Sequence, residues 1–400
     1  MGTSPPEPIE ALGMDIVGHT DLGGHGDCMH VSLNGDIAYV AHMGDDRVGT
    51  SVVDISDPAD PRLVRQLMTP PGTHSHKVEA LDGLMLVNHE RNPSEKADSW
   101  SAGLAIYDIS DPSDPQELGF FPAGGKGVHR MTFMDPPYVY MSAGAEGFID
   151  QFLMIVDLSD PENPKEAGRW WLPGMNEGAG ERRTWSGELR YAHHHALIRN
   201  ERAYATWWDA GLVILDVADV SSPVALSHLQ FGTEVSRCTH TALPLPGRDL
   251  LVVTDESTSP NCDEVPKRVR VVDISDETNP EVVSTFPVPE GDFCQRGGRF
   301  GPHNLHEMRA GTFVSSNIVH VTYFNAGVRV FDVSDPADVR EIAYCIPPPA
   351  PGAKAIQMND LMVDASGLVF ATDRVAGGLY VMSCDAEGSP PPSGTTGSNT

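Results

Sequence analysis

A short pattern of apolar residues followed by polar turn residues recurs along the whole chain. Residues 52–58, Val-Val-Asp-Ile-Ser-Asp-Pro, show it in full, and the central aspartate recurs at Asp54, Asp108, Asp157, Asp216, Asp273 and Asp332. β-Branched residues favour strands, whereas Asp and Ser bond to the nearby backbone and Pro cannot continue a ladder of hydrogen bonds. Each copy of the pattern therefore predicts a strand that ends in a turn.

The spacing of these aspartates indicates a repeat architecture. Successive copies lie 49 to 59 residues apart, and each repeat divides into four short strands separated by turn residues. A period of this length with four strands is typical of the blades of a β-propeller. The sequence therefore predicts an all-β fold, a seven-bladed β-propeller with four-stranded blades.

The two ends of the chain predict how the ring of blades closes. The last unit starts near Asp360 and has no outer strand after residues 379–383. Residues 14–18, Met-Asp-Ile-Val-Gly, follow the pattern of the outer strand near residues 116–120, so we expect an N-terminal strand to complete the last blade and cover its open edge. Residues 1–384 then form one domain, and the Ser-, Pro- and Gly-rich residues 385–400 form a disordered tail.

Composition narrows the partners and the compartment. The 400 residues carry 27 basic and 56 acidic side chains, a formal charge of −29 that repels nucleic acid and anionic membranes. No apolar run approaches the roughly 20 residues of a membrane span, and the first residues lack the pattern of a signal peptide. We therefore expect a cytoplasmic protein with a small-molecule substrate and no nucleic-acid or membrane partner. The six cysteines show no CxxC spacing, and we expect reduced thiols.

Long loops are predicted on one face of the propeller only. They cover residues 89–103, 173–193, 255–268, 287–303 and 347–360. All of them are links from outer to inner strands or from second to third strands, and in a propeller these two kinds of link emerge on the same face. Long loops that cluster on one face of a rigid scaffold usually build a binding site.

Histidines mark the start of the innermost strands on that same face. The predicted ring consists of His30, His76, His129, His195, His240, His303 and His306. In a closed propeller the innermost strands surround the central channel, so these imidazoles converge at one mouth of it. A single histidine at a strand start usually bonds to the backbone, but neither packing nor β-propensity selects imidazole in six units. The ring therefore predicts a site for a divalent transition metal, and ligand type alone does not separate Zn, Mn, Fe and Cu.

Charged residues beside the same mouth supply candidate catalytic groups. Glu90, Asp255 and Glu256 are candidate general bases that deprotonate a metal-bound water or an acidic C–H group. Arg130 and Arg374 are candidates to hold a substrate carboxylate. For each of these residues taken alone, ordinary ion pairing is the competing interpretation.

The repeats resemble those of a known family. Residues 52–58 and residues 327–332, Gly-Val-Arg-Val-Phe-Asp, are similar to the repeats of the LVIVD-repeat β-propeller family, and the resemblance covers nearly the whole chain. More distantly, residues 73–77, Thr-His-Ser-His-Lys, followed by residues 83–86, Gly-Leu-Met-Leu, are similar to a stretch of the selenium-binding protein/methanethiol oxidase family. The first resemblance implies the propeller fold, and the second implies a copper-dependent oxidase.

Three functions are compatible with these features. A metal flanked by carboxylates and arginines suits water activation or proton abstraction beside a carbonyl. The leading prediction is therefore a metal-dependent hydrolase or lyase that acts on a small polar organic molecule. The copper-dependent oxidase is one alternative, and a non-catalytic scaffold that binds protein is another, because a propeller fold fixes no function. The sequence contains no G-x-S-x-G, Walker, strand-linked G-x-G-x-x-G or HExxH motif, so serine hydrolases, NTPases, dinucleotide-dependent enzymes and zincins gain no support.

Overall fold

The computed structural model of the chain describes residues 4–44, 46–234 and 236–385. The strands of its first half are β1 (Glu10–Leu12), β2 (Met14–Thr20), β3 (Cys28–Asn34), β4 (Ile37–His42), β5 (Val48–Asp54), β6 (Arg62–Met68), β7 (Thr73–His74), β8 (Val78–Leu81), β9 (Leu84–Arg91), β10 (Gly103–Asp108), β11 (Gln116–Pro122), β12 (Gly124–Asp135), β13 (Tyr138–Gly144), β14 (Phe152–Asp157) and β15 (Lys165–Trp170). Those of the second half are β16 (His195–Arg199), β17 (Arg202–Thr206), β18 (Leu212–Asp216), β19 (Val224–Leu229), β20 (Thr239–Pro244), β21 (Leu250–Asp255), β22 (Val269–Asp273), β23 (Glu281–Thr285), β24 (Ile318–Thr322), β25 (Val328–Asp332), β26 (Arg340–Ile346), β27 (Met358–Val363), β28 (Val369–Asp373) and β29 (Gly378–Cys384).

Helices are few and short in the described ranges. They are α1 (Phe293–Arg296) and two 3-10 turns, Leu22–Gly24 and Glu177–Ala179. None of the helices described is long and apolar enough to cross a membrane. The predicted tail, residues 385–400, lies outside the described residues except for Asp385.

The strands form antiparallel units in which most strands pair with their neighbours in the chain. Such units run from β3 to β6, β8 to β11, β12 to β15, β16 to β19 and β20 to β23. Two further units, β24–β26 and β27–β29, are each extended by a strand from the N-terminus, and a bridge from Leu305 to Val321 starts the first of them. The fold is therefore an all-β propeller in which each unit is a blade.

The N-terminal strand pairs with the last blade as the sequence predicts. β2 runs antiparallel to β29, from Met14 opposite Cys384 to Thr20 opposite Leu379. The sequence did not predict β1, which pairs with β26 of the preceding blade. The N-terminal segment thus covers the outer edges of two adjacent blades, which would otherwise offer unpaired backbone groups.

The recurrent aspartates close the turn between the third and outer strands. Their carboxylates accept a hydrogen bond from the backbone N–H two residues further on, at 2.7 to 3.0 Å, in the turns that begin at Asp54, Asp108, Asp157, Asp216, Asp273 and Asp332. A second aspartate three residues later accepts the same kind of bond in the turns that contain Asp57, Asp111, Asp219, Asp276 and Asp335. Because both bonds are local, they fix the turn whatever the rest of the blade does.

Side chains near the ends of the second strands tie five of the blades to the blade that follows. A hydroxyl or amide group of the second strand donates to a main-chain carbonyl of the following inner strand, at 2.6 to 3.0 Å. The pairs are Asn88–Val128, Ser142–His193, Thr206–His240, Thr254–His303 and Thr322–Asn359. These bonds satisfy buried polar groups between the sheets, which would otherwise be costly.

The apolar core lies between the blades. In β14 the residues from Phe152 to Val156 are all buried, with no alternation of apolar and polar positions. A strand packed on both faces has this continuous apolar pattern. The runs before the Ser-Asp turns are therefore apolar on both faces because neighbouring blades pack against each other.

One disulfide corrects the prediction of six reduced cysteines. Cys262 and Cys294 are bonded, with their Cα atoms 5.4 Å apart. The bond joins the long loops 255–268 and 287–303, which only the fold brings together. Cys28, Cys238 and Cys345 are free thiols. Disulfides are rare in reducing compartments, so the cytoplasmic location stays a prediction that this bond does not favour.

Candidate metal centre

The inner strands carry a β-bulge where they reach the channel mouth, the end of the channel on the face with the long loops. In four blades the pairing register shifts at this point and leaves one residue without an opposite partner. These residues are Met29, His129, His240 and Asn359. A bulge locally disrupts the ladder and re-aims a side chain, which is why bulges are common next to active sites.

Main-chain hydrogen bonds identify the equivalent residue in the other blades. His194 donates its N–H to the carbonyl of Thr206, and His303 donates to that of Thr322, which is the contact of the first residue of a bulge. The Asn88 N–H donates to the carbonyl of Lys77, just as the Thr322 N–H donates to that of Asn304, the residue after His303. His76, which precedes Lys77, is therefore the equivalent residue of its blade. We call this set the bulge layer: Met29, His76, His129, His194, His240, His303 and Asn359. Five consecutive blades therefore contribute histidine.

The imidazoles of the bulge layer follow one another around the mouth. Ring centroids are 4.7 Å apart from His76 to His129, 5.2 Å from His129 to His194, 4.0 Å from His194 to His240 and 4.3 Å from His240 to His303. His129 is half-buried and the other four are buried. Burial disfavours the charged ring and holds the pKa of those four histidines well below its ordinary value. They are therefore neutral at pH 7, the form that binds a metal.

The next residue of each inner strand forms a second layer, deeper in the channel. It consists of His30, Lys77, Arg130, His195, Thr241, Asn304 and Asp360. Burial, together with the nearby charge of Arg130, lowers the pKa of Lys77 to about 7. Arg130 donates to Glu307 at 2.5 Å and to Asn304 at 2.9 Å. The second layer is thus a buried network of opposite charges rather than a ring of ligands.

The predicted ring of histidines divides between these layers. His76, His129, His240 and His303 lie in the bulge layer, and His30 and His195 lie in the second layer. His306 joins neither of them, because its Nε2 donates to the Phe313 carbonyl at 2.7 Å and its Nδ1 accepts the Val363 N–H at 3.2 Å. The sequence analysis placed all seven of these histidines together at the mouth, whereas the structure places His30 and His195 one residue further along their strands and His306 outside both layers.

Two mouth histidines were not among the predicted ligands. His194 takes the bulge position that the sequence analysis gave to His195, since three consecutive histidines offered three possible registers. His74 lies in β7, where it pairs with Glu90 of β9. Its signal in the sequence was the alternation of His74 and His76, which a strand places on one face.

Glu90 forms the centre of the first donor group. Donor atoms of His74, His76 and Glu90 all lie within 4.8 Å of one another. The Glu90 Oε2 is 3.1 Å from His74 Nε2 and 3.1 Å from His129 Nδ1, and its Oε1 accepts from Gln151 Nε2 at 2.9 Å. Burial raises the pKa of Glu90, but His129, His74 and His76 outweigh it and hold that pKa well below the usual range. Glu90 is therefore a carboxylate surrounded by imidazoles.

A close main-chain approach places Glu90 at the mouth. Gly127 of β12 pairs with Glu90 and so joins two blades into one sheet. A Cβ atom at Gly127 would lie 2.2 Å from the carbonyl oxygen of His89, and the residue has a φ of +104°. Only glycine permits this crossing, so the position of Glu90 depends on it.

Glu256 forms the centre of the second donor group, with His240 and His303. Its Oε1 accepts from Arg299 Nη1 at 3.1 Å and lies 3.6 Å from His303 Nε2, and its Oε2 lies 3.9 Å from His240 Nε2. The His303 Nδ1 donates to the Asn359 carbonyl at 2.6 Å, so the neutral ring presents a lone pair at Nε2. A lone pair then faces a carboxylate, an arrangement that a cation between them relieves. The residues of this group therefore fit a metal ion.

The other predicted catalytic residues have partners of their own. Asp255 is buried, and its two oxygens accept hydrogen bonds from the two terminal guanidinium nitrogens of Arg270, at 2.8 and 3.0 Å. Arg130 is committed to Glu307, as described above. Arg374 lies near the mouth with its Nε 3.4 Å from Asp27 Oδ1, and its side chain is 16% exposed. Of the three, only Arg374 combines access to solvent with a loose ion pair.

The sequence profile of the LVIVD repeat matches residues 25–69, 97–121, 147–170 and 201–229. The chain therefore contains LVIVD repeats in its first four blades. Each matched segment contains one of the Asp turns of the first four blades, so the repeat corresponds to the strand-and-turn unit described above. None of the curated proteins compared with this LVIVD-repeat chain matches it.

Solved structures share the propeller fold of this LVIVD-repeat protein. A hypothetical selenium-binding protein from Sulfolobus tokodaii aligns with a TM-score of 0.59 at 15% identity, over 88% of this chain and 91% of that one. The periplasmic gluconolactonase of Pseudomonas aeruginosa aligns with a TM-score of 0.58 at 12% identity, over 89% and 96%. The β-propeller domain of Cps50 (Swd1) from Myceliophteria thermophila aligns with a TM-score of 0.56 at 12% identity, over 89% and 96%. At these identities the likeness establishes the fold alone.

Proposed function

We propose that the chain is a closed, seven-bladed propeller that binds a divalent transition metal at its channel mouth and acts as a hydrolase or lyase on a small polar organic molecule. The bulge layer carries this proposal. Histidine occupies it in five consecutive blades, and the carboxylates of Glu90 and Glu256 lie against it. A structural role alone does not call for five imidazoles around two buried carboxylates, since buried charge is costly without a partner.

Contacts between the last and first blades support ring closure. Asn359 Nδ2 donates to the Met29 carbonyl at 2.8 Å, and Asp360 accepts the Val31 N–H at 2.9 Å. On the outer side, a Cβ atom at Gly18 would lie 1.9 Å from the Pro58 carbonyl oxygen, so β2 packs tightly on the turn of the first blade. Residues 1–384 are accordingly proposed to act as one domain.

The side chains at the mouth suit proton transfer beside a carbonyl. A bound metal ion would polarise a carbonyl oxygen or lower the pKa of a bound water. Glu90 is ionised at neutral pH and Gln151 holds its second oxygen in place, so it can bind the metal ion, while its lowered pKa makes it a weak general base. Arg374 is placed to attract an anionic or polar part of the substrate into the mouth. Asp255 is not proposed as a base, because Arg270 binds both its oxygens.

Lactone hydrolysis is the first reaction to test. A sugar lactone combines a carbonyl that a metal can polarise with hydroxyl groups that a polar mouth can bind. The gluconolactonase with the same fold makes sugar lactones a reasonable starting set. Elimination from hydroxy acids is the second set, because it needs the same metal and the same base.

The copper-dependent oxidase is the alternative with a specific observation in its favour. The segment 73–77, which resembles the methanethiol oxidase family, contains His74 and His76, and both belong to the Glu90 donor group. Imidazole ligands suit copper as well as zinc. A non-catalytic scaffold is the remaining alternative.

Elemental analysis of the purified protein, followed by activity assays after chelation and metal return, separates these functions. We expect near-stoichiometric Zn, Mn or Fe, and hydrolysis or elimination that chelation abolishes and the metal restores. Stoichiometric Cu with thiol oxidation would support the oxidase instead. Protein that binds none of these metals when they are supplied in excess would support the non-catalytic scaffold.

A further inference from the structure

We infer that the mouth holds two metal ions at once, in sites of unequal affinity. The inference rests on the proposed metal binding and deepens it. Site 1 is the group of His74, His76 and Glu90, and site 2 is the group of His240, His303 and Glu256. Each offers two imidazoles and one carboxylate, a donor set used by zinc and by non-haem iron sites.

One ion cannot serve both groups. The donor atoms within each group lie within 4.8 Å of one another, close to the span that two metal–ligand bonds of about 2.0–2.2 Å allow. Among the residues described here, the sets that meet this limit do not mix members of the two groups. Along the mouth, the rings of His129 and His194 stand between His76 and His240.

The two carboxylates have different supports. Glu90 is held by Gln151, a neutral amide, with the Nε2 donor 2.9 Å from Oε1. Glu256 is held by Arg299, a guanidinium whose Nη1 lies 3.1 Å from Oε1. Groups that hold a ligand in place also set how strongly it binds the metal. The neutral amide leaves the full negative charge of Glu90 to the ion, whereas the positive charge of Arg299 both compensates Glu256 and repels the ion.

Site 2 has an opposing advantage in its ligand orientation. The His303 Nδ1 bond to the Asn359 carbonyl already turns the Nε2 lone pair toward Glu256. In site 1, by contrast, His74 Nε2 lies within hydrogen-bond distance of Glu90 and must give up that bond when an ion binds. Repulsion between a doubly charged ion and a nearby guanidinium acts in a buried, weakly screened site, and we expect it to exceed the cost of turning or re-protonating one ring. Site 1 therefore fills first.

The experiment is a titration of the metal-free, full-length protein with Zn²⁺. Binding is measured by calorimetry and by equilibrium dialysis. We expect two ions per chain, with dissociation constants that differ at least tenfold. Glu90→Gln should remove the tight site and leave the weak one, and Glu256→Gln should do the reverse. Circular dichroism of each variant shows whether the fold is retained.

Arg299→Gln is the decisive variant, because it removes the positive charge beside Glu256 and keeps an amide N–H donor on a shorter side chain. We expect it to tighten the weak site at least tenfold and to leave the tight site unchanged. Arg374→Gln is the matched control, since this second mouth arginine pairs with Asp27 and should leave both constants within threefold. One ion per chain, or an Arg299→Gln variant with both constants unchanged, overturns the inference while metal-dependent catalysis can still stand. Two unequal ions without any activity would retain the inference and refute the enzyme.

Discussion

Six blades carry an aspartate at their turn end, and the blades carry one bulge-layer residue each at their mouth end; these two positions behave differently. At the turn end, the residues from Asp54 to Asp332 make the same local bond to the backbone in each of six turns. At the mouth end, the bulge layer changes from methionine in one blade to histidine in five and asparagine in another. The turn residues are exposed or half-buried, whereas the bulge residues lie in the channel.

This difference separates the turn aspartates, which stabilise the fold, from the bulge-layer residues, which form the candidate site. A bond that closes within three residues serves any blade equally, so each copy stays the same. A residue that faces the channel meets side chains from other blades, so its identity depends on what those blades supply. We therefore expect changes at the turn end to affect stability alone, and changes at the mouth to affect metal binding.

Removal of residues 1–20 should have the largest effect, because it damages the scaffold that both ends share. It uncovers the outer edges of β29 and β26, and exposed edges pair with other chains. We expect loss of soluble, folded protein, measured by size-exclusion chromatography and circular dichroism. Removal of residues 386–400 is the control and should change neither measurement. A soluble and fully folded protein without its first 20 residues would show that the N-terminal strand is dispensable.

His76→Ala should have the next largest effect, and that effect should be on metal affinity. The variant loses a donor of the Glu90 group, so Zn²⁺ affinity at that site should fall more than about 100-fold, above the range seen for groups that only support ligands. The sequence alone predicts the same loss for His195→Ala, whereas the second-layer position of His195 predicts a smaller one. Equal losses in both variants would contradict the separation of the two layers, and unchanged metal content in both would remove the mouth site.

Acid should lower the stability of the folded protein through its buried histidines before it breaks the hydrogen bonds of the turns. Burial lowers the pKa of His42 and of His306 to about 4, whereas the unfolded value is about 6.5. Between these values the unfolded chain binds more protons, so stability is full above about pH 6.5 and falls as the pH is lowered. Each group costs about 2 kcal/mol at pH 5.0. The turn carboxylates, such as Asp54 and Asp157, have lowered pKa values because of hydrogen bonds from Ser56 and Ser159.

Urea unfolding of metal-free protein at several pH values measures this effect. The free energy of unfolding should already fall between pH 7 and pH 5, because the buried histidines bind protons more readily in the unfolded chain. The turn carboxylates have lowered pKa values and lose their hydrogen bonds only at lower pH. Excess Zn²⁺ should offset part of the fall, since the ion binds deprotonated histidines of the folded state. A free energy of unfolding that stays constant from pH 7 to pH 5 would contradict the burial of neutral imidazoles.

Asp157→Ala should have the smallest effect. It removes one local bond, from the Ser159 N–H at 2.8 Å, in an exposed turn. We expect a loss of about 1 kcal/mol in the free energy of unfolding and unchanged Zn²⁺ affinity. A measurable change in metal affinity would mean that the turn end and the mouth are coupled through the blade.

The sequence by itself determined the repeat, the turns and the pairing of residues 14–18 with the last blade, because each depends on local propensity or on strand pattern. It also placed His76, His129, His240 and His303 at one mouth. It could not decide between His194 and His195, since a bulge shifts the register by one residue and reverses which side chain faces the channel.

Only the tertiary structure decided which charged residues are available for chemistry. Arg130 and Asp255 were catalytic candidates in the sequence, but Arg130 is bound by Glu307, from a loop far along the chain, and Asp255 is bound by Arg270 of the neighbouring strand β22. The same holds for the Cys262–Cys294 bond and for the support of Glu256 by Arg299. Local patterns fix strands and turns because their energies are local, whereas the state of a buried charge depends on partners that lie far away in the chain.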